Sequence, residues 1–476
     1  MMKNTLKFFL FCLVVFSVSS CSLIAPGEIE NPNVSENTFL ETDNAMETWV
    51  NGTEKSFALA IGDFCLQTEI ISDNYFNNYT RENKVFDIPE LLNTDPDIAE
   101  LQRWVGNLRE SADYGISTVQ QHDKKTTHEQ LFKLYYIKAY AYILAGENFI
   151  ALPIADGGEV KTWQEQLKLA IPTLEQALQY AASDDDRAFI HTLNARVYYR
   201  LGLTDQAISE SQTALQLSKD LVKQVKFDGP NGVSSAIQDV VWKTMYQPLP
   251  RLDFLDPKYF QLKSTDECPI SIAKAEENYL ILAEGLLAKG QLENSKQQLK
   301  DLIALIKTRP IQWQLNDQLE GRYNGGFKHF PDRSDYLVAA SPTDEYRKGL
   351  VLDRKPPFLI NVPTLSGTSV TPKMVDSSSD TDQLLALIYL MRQEVFMAEG
   401  RRMNDLGIRL PISDVEAAHN EAAKPYTQAQ IPSFIPLGQG MDAFTMDTEN
   451  HLITIQYNMN KVIVENKNSE FVVPFF

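Results

Sequence analysis

Covalent chemistry is spelled out at one thiol in this chain. Val18-Ser19-Ser20-Cys21 closes an apolar run, Phe8-Phe9-Leu10-Phe11-Cys12-Leu13-Val14-Val15-Phe16, that is preceded by Lys3 and Lys7. Small residues ahead of a cysteine give a peptidase access to the scissile bond, and the thiol is the atom that accepts a diacylglycerol. The pattern reads as a bacterial lipobox. The apolar run is too short to span a bilayer comfortably as a permanent helix, so cleavage is expected. Residues 1–20 are therefore read as a signal peptide, Cys21 as the lipid anchor, and residues 21–34, with Pro26-Gly27 and Asn31-Pro32-Asn33, as a tether. Each buried methylene contributes about 0.8 kcal/mol, so several acyl chains on one cysteine make a lasting anchor. Ser22 stands where an Asp would favour inner-membrane retention, which points to the outer membrane. An ordinary secretory signal cut elsewhere is the competing reading.

The rest of the sequence offers little catalytic chemistry. Its six histidines, His122, His128, His191, His329, His419 and His451, include no i, i+4 metal pair. Gly367-Thr368-Ser369-Val370-Thr371 lacks the last glycine of a nucleophile elbow. Gly438-Gln439-Gly440-Met441-Asp442-Ala443 has dinucleotide-like glycines, but Pro432 and Pro436 spoil the strand that must precede it, so it reads as a turn. Asp184-Asp185-Asp186 has no glycine at calcium-loop spacing and reads as a solvated helix-end loop. No enzyme activity, cofactor or metal site is expected.

Binding chemistry is better represented. Sugars offer flat C–H faces that stack on aromatic rings and hydroxyls that pair with amides, carboxylates and guanidinium groups. Asp73-Asn74-Tyr75-Phe76-Asn77-Asn78-Tyr79-Thr80-Arg81 and Trp313-Gln314-Leu315-Asn316-Asp317-Gln318-Leu319-Glu320-Gly321-Arg322-Tyr323-Asn324 interleave both kinds of group. Tyr75, Tyr79, Arg81, Trp313 and Tyr323 are the candidate ligand-binding residues. The competing reading is that these rings pack loops onto helices. Trp49, Trp104, Trp163 and Trp242 lie nearer periodic stretches and read as core.

The elements that must position these loops are helical. Ala195, Tyr198, Gly202, Ala207, Ala214 and Leu215 carry the spacing of a tetratricopeptide-type helix pair over residues 192–217, with Gly202 in the turn. A second copy has its first helix over residues 131–143, with Gly146 at its end, and its second over about 163–182, with Gly157-Gly158 in a longer loop between them. A third covers about 271–307, where Gly290 turns and Ser295 replaces the usual close-approach alanine. One more long helix is expected over about 382–406. Residues 63–97, 227–269, 309–375 and those after Pro411 lack periodicity and read as ordered loops packed on the helices. Asp376-Ser377-Ser378-Ser379-Asp380-Thr381-Asp382 reads as a solvated loop ending in a helix N-cap. Short strands are expected at 452–457 and 461–464. The fold class is thus mostly α, with tetratricopeptide-like helix pairs, a loop-rich second half packed on them and few short strands. Residues 35–476 are read as a single body, with helix pairs in 35–307 and the loop-rich part in 308–476.

At 43% hydrophobic and 22% charged residues, the composition is that of an ordinary globular chain. The net charge of −19 becomes −21 without the two lysines of residues 1–20. Phosphate backbones would be repelled, so nucleic acid is not expected as a partner. Loss of Cys12 and acylation of Cys21 leave Cys65 and Cys268, either one disulfide or two separate buried thiols.

Three stretches together resemble the SusD/RagB family of nutrient-uptake lipoproteins of the Bacteroidetes outer membrane. One is Tyr135 to Leu152, with its Ala-Tyr-Ala-Tyr core and Phe149-to-Pro153 exit. Another is the acidic helix Ala275-Glu276-Glu277-Asn278-Tyr279-Leu280-Ile281-Leu282-Ala283-Glu284, ended by Gly290. The most specific is Arg392-Gln393-Glu394-Val395-Phe396-Met397-Ala398-Glu399-Gly400-Arg401-Arg402-Met403-Asn404-Asp405-Leu406. Read from the residues alone, Arg392, Glu394, Glu399, Arg401 and Asp405 sit at helical spacings that permit charge pairing along and between helix faces, a structural role. Gly407 departs from the family, where many members carry a basic residue and then Trp, and no Arg precedes Ala275. The resemblance implies a SusD-like fold and a cell-surface lipoprotein that lids a SusC-like TonB-dependent β-barrel transporter and captures oligosaccharides for import. A peptide or glycoprotein-derived ligand is the alternative, since the family includes such cases. A helical-repeat scaffold of the cell envelope and a surface glycosidase are further readings. Replacing Cys21 by alanine is expected to abolish incorporation of labelled palmitate and to release the protein from the membrane pellet. Undiminished labelling of C21A would remove the anchor from this residue.

Overall fold

The computed structural model describes residues 36–77, 84–242, 245–256, 258–260, 262–263, 265, 267–319, 330–438 and 440–476. The expected signal peptide, Cys21 and the tether lie outside them. Ten helices organise the rest: α1 (Ala45–Ile71), α2 (Pro96–Tyr114), α3 (His128–Asn148), α4 (Trp163–Gln179), α5 (Asp184–Arg200), α6 (Thr204–Leu217), α7 (Ala275–Ala288), α8 (Leu292–Ile306), α9 (Thr381–Val395) and the single turn α10 (Arg402–Asp405). Three helices in succession begin with a reciprocal capping box, Thr127 with Gln130, Thr162 with Glu165 and Ser183 with Asp186. Asp184-Asp185-Asp186 is therefore the first turn of α5, where carboxylates meet the positive end of the helix dipole, and not a loop.

Pairs α3/α4, α5/α6 and α7/α8 are the anticipated helix pairs. Gly202 turns α5 into α6 at φ +71, and Ala207 and Ala214 are fully buried where the helices meet. Ser295 keeps its close approach because its hydroxyl donates to the Ala283 carbonyl at 2.7 Å. Gly146, expected to end α3, lies inside it. A Cβ there would stand 2.6 Å from Leu167 on α4, so the glycine serves close helix packing instead. The loop carrying Gly157-Gly158 is a tight hairpin, β2 (Ala151–Pro153) against β3 (Val160–Thr162).

Short strands join these helices. β1 (Tyr75–Asn77) pairs with β5 (Tyr246–Pro248), and β4 (Val222–Val225) with β6 (Ile270–Lys274), all antiparallel. Residues 271–274 are thus strand, and the third pair begins at Ala275. β7 (Ile311–Asn316) pairs with β9 (Leu359–Pro363), and β8 (Leu337–Ala339) joins the hairpin of β10 (Phe444–Asp447) and β11 (Leu452–Ile455). The strand expected at 461–464 is instead helix, Met459–Glu465, because Met459, Asn460, Ile463 and Val464 bury one helical stripe. Helix α1 also extends to Ile71, into a stretch read as loop.

The long helix expected over 382–406 breaks after Val395. Asp380 caps its start, accepting from the Gln383 backbone at 2.9 Å, as the loop composition indicated. At the break, Ala398 and Gly400 take positive φ of 59 and 70. The carbonyls freed there meet buried donors: Lys274 Nζ to Val395 O at 2.7 Å, Lys258 Nζ to Met397 O at 3.0 Å, and the Tyr259 hydroxyl to Ala398 O. Both lysines also pair with Glu399.

Around this break the interior holds an unbroken chain of charges. Arg196 meets Glu277 (2.7 Å), Glu277 meets Arg401 (2.8 Å), Arg401 meets Glu147 (2.9 Å), and Glu147 meets Arg200 (3.1 Å). Arg200 meets Asp405 (2.9 Å), which meets Arg392 (2.8 Å). Burial would raise the Glu277 carboxyl, but Arg196 and Arg401 outweigh it and hold the group at about 2. Burial is likewise overcome at Asp405, where Arg392 and Arg200 keep the carboxyl well below its usual range. Glu284 and Glu69 differ: burial pushes each up to about 7, against the pull of Arg392 and of the Asn74 amide respectively. Unfolding releases protons from Glu69 and Glu284 between about pH 4.5 and 7, where the folded chain retains them. Below about 4.5 the unfolded chain takes up protons that Glu277 and Asp405 refuse. The melting temperature is therefore expected to be highest near pH 5 and to fall on both sides, with Glu284→Gln flattening the fall toward pH 7. A pH series of thermal melts checks this; an unchanged slope in E284Q would contradict it.

Candidate functional site

An apolar ring held in solvent requires a backbone that prevents it from turning inward. On β9 the alternation is regular: Ile360 and Val362 face the core, Leu359 and Asn361 face out. On β7 the buried Leu315 stands three residues after the part-buried Gln312, an odd spacing that a plain strand cannot place on one face. A bulge between Gln312 and Leu315 resolves the conflict, with Gln314 at φ +54 and its N–H donating to Asn361 Oδ1 at 2.9 Å. Trp313 and Gln314 consequently both point outward. Trp313 is 67% exposed, the largest exposure of any large hydrophobic residue described, with Ile311 and Leu359 exposed on the same strand pair.

The β7/β9 pair rests on a small core of Phe260, Leu315, Ile360 and Val362, with Trp242 and Leu352 against it. Its base is tied down by Arg354, whose Nη1 donates to Asp253 Oδ2 at 2.7 Å while the Leu352 N–H donates to the same oxygen. Asp253 lies in the 3-10 turn Pro250–Leu255, which also packs against β5 and β8. Beside it, Phe76, Leu249, Phe330, Tyr336 and Val338 form a second cluster, with the Phe76 and Phe330 rings 6.4 Å apart. Phe76, in the first aromatic stretch, and Phe330, beyond the second, thus meet in one cluster.

The candidate residues divide accordingly. Trp313 is a presented ring. Tyr75 is fully buried in β1, so its ring is core and not a stacking surface; the polar residues around it in sequence occupy turns and buried hydrogen bonds, Asn74 to Glu69 among them. Tyr79, Arg81 and Tyr323 lie outside the described residues. Of the four tryptophans read as core, Trp49 and Trp104 are half-buried with indole N–H groups bonded to Ser111 O and Asp63, and Trp242 packs on Phe260. Trp163 packs half-buried beneath the Arg409 guanidinium. Cys65 and Cys268 are separate thiols. Arg392, Glu399, Arg401, Arg402 and Asp405 are buried in ion pairs, and buried Glu394 accepts from Thr368 and Ser369, a structural role. Ile311, Gln314, Leu359 and Asn361 were not singled out from the sequence; the doubled outward position at 313–314 is the signal that would have found them.

The fold defined by these helix pairs with strand-and-loop insertions is shared with known structures. A SusD superfamily protein from Bacteroides fragilis superposes with a TM-score of 0.54 at 13% identity, over 79% of this chain and 97% of that one. A SusD-like protein from Bacteroides fragilis gives a TM-score of 0.51 at 11% identity, over 82% and 97%. This chain has the SusD-like fold. No family model matches its sequence, and no curated protein matches it. Because Trp313 alone among the five tryptophans stands largely in water, Trp313→Phe is expected to remove most of the acrylamide-quenchable emission. Quenching unchanged in W313F would place the ring inside the protein.

Proposed function

We propose that this chain is the nutrient-binding lipoprotein of a SusC/SusD-like uptake system, anchored through Cys21 at the outer-membrane surface and capturing oligosaccharides for a TonB-dependent β-barrel transporter. The capture is non-catalytic. The observation that carries the reading is the Trp313 strand pair: an indole fixed in solvent by a bulge, flanked by Gln314 and Asn361 amides, suits the C–H face and hydroxyls of a sugar ring. The SusD-like fold and the lipobox support the location and the transporter partner. Among the described residues no helix is long and apolar enough to cross a membrane, in keeping with attachment through lipid.

A second ligand class has its own support. The β7–β9 sheet has two strands among the described residues, with Ile311 and Leu359 exposed, so an extended peptide can add to an open edge. Affinity electrophoresis against a panel of soluble plant and host polysaccharides separates the two. Retention by one glycan, weakened about tenfold in Trp313→Ala, a change of about 1.4 kcal/mol, is the expected result. Equal retention of W313A would remove the β7/β9 pair from the site. Binding of unglycosylated peptides with no glycan retained would transfer the reading to the peptide class.

A further inference from the structure

A cavity of about 270 Å³ lies between the start of α4, the turn after α5 and the chain at 470–474, and it is lined in part by Trp163, Gln164, Arg200, Arg409, Gln430 and Phe471. Arg409 is 5% exposed. Its backbone is fixed by a reciprocal pair of hydrogen bonds with Gln430, each 3.0 Å. Its guanidinium lies 4.0 Å over the Trp163 ring.

Every other buried arginine described here has a partner for its guanidinium. Arg196, Arg200, Arg354, Arg392, Arg401 and Arg402 each reach a carboxylate, Arg109 the Pro153 carbonyl and Arg251 the Gln393 amide. Arg409 has none among the described residues: no ion pair or side-chain hydrogen bond reaches it, and its Nε is buried without a partner. A buried charge without a counter-ion is costly, and stacking on an indole offsets only part of that cost. Arg200 adds like charge, and burial together with Arg200 brings the Arg409 guanidinium down to about 9. Glu147 offsets this only in part, being itself paired with Arg200 and Arg401. Asp405 is taken by Arg392 and Arg200, and Glu470 stands exposed at the rim.

We propose that this cavity binds the carboxylate of a small organic acid, which pairs with the terminal nitrogens of Arg409 while its apolar part rests against Phe471 and Val472. A guanidinium presents parallel N–H donors matched to the two oxygens of a carboxylate, and Trp163 beneath it fixes the plane of approach. The site is separate from the Trp313 strand pair and does not depend on what that pair binds.

Benzoate is the probe and benzamide its neutral isostere, titrated into the full chain with Trp163 emission as the readout. Saturable binding of benzoate is expected, at least tenfold weaker for benzamide and at least tenfold weaker in Arg409→Gln, with the signal lost in Trp163→Phe. In the absence of ligand, R409Q is expected to melt no lower than the parent, since it removes an uncompensated charge. Gln164→Glu is a second variant for the case that R409Q does not fold: it places an acid in the first turn of α4, where the helix dipole accepts it, at the rim of the cavity, and is expected to weaken benzoate. Benzoate affinity unchanged in R409Q, or in Q164E if R409Q does not fold, would overturn the proposal. So would equal binding of benzamide, tighter binding of sulfate than of benzoate, or no saturable binding below about 10 mM.

Discussion

The buried chain of alternating charge from Arg196 to Arg392 is the constraint on which the architecture depends. Four arginines share three carboxylates contributed by α3, α5, α7, α9 and α10, with Arg401 from the break between the last two. Removing one member of such a set typically costs about 3–5 kcal/mol, because its partners remain charged and out of water. The network therefore sets the mutual positions of helices that sequence separates by up to about 250 residues, where apolar packing alone would tolerate sliding. It also accounts for the break after Val395. A continuous helix would carry Arg401 and Asp405 around its surface, whereas the left-handed residues Ala398 and Gly400 turn both back toward Glu147 and Arg392.

That rigid scaffold has a consequence for binding. The strand pair that carries Trp313 is joined through Arg354 and Asp253 to the turn at 250–255, which packs on β5 and β8. A ring presented from a fixed strand loses little conformational freedom when a ligand stacks on it. The acidic surface acts over a longer range, and at physiological salt its field fades within about 8 Å. A buried guanidinium such as Arg409 is shielded from that screening and can select an anion at close range in a protein of strongly negative net charge.

How much of this was legible in the sequence depended on whether the deciding contacts were local. The helix pairs were legible because small residues at Gly202, Ala207, Ala214 and Gly290 mark turns and close approaches within one unit. The cap at Asp380 was legible for the same reason. Gly146 was misplaced because a glycine that ends a helix and one that admits a neighbouring helix look alike in sequence; Leu167 on α4 decides between them. The break in the last helix was hidden because its carbonyls are met by Lys258, Tyr259 and Lys274, more than 120 residues away. Residues 461–464 have strand-like composition, and the helix there is set by burial of Met459 and Ile463. Trp313 stood out through its amide-rich neighbours. Tyr75 sat in similar company, but its ring packs into the main hydrophobic core.

The proposed role, surface partner of a nutrient transporter, is decided by affinity purification of the tagged chain from gently solubilised outer membranes, with partners identified by mass spectrometry. A large TonB-dependent β-barrel recovered in near-equal amount is the predicted result. Recovery of periplasmic or envelope-assembly proteins with no such barrel would contradict the uptake role and favour a helical-repeat scaffold.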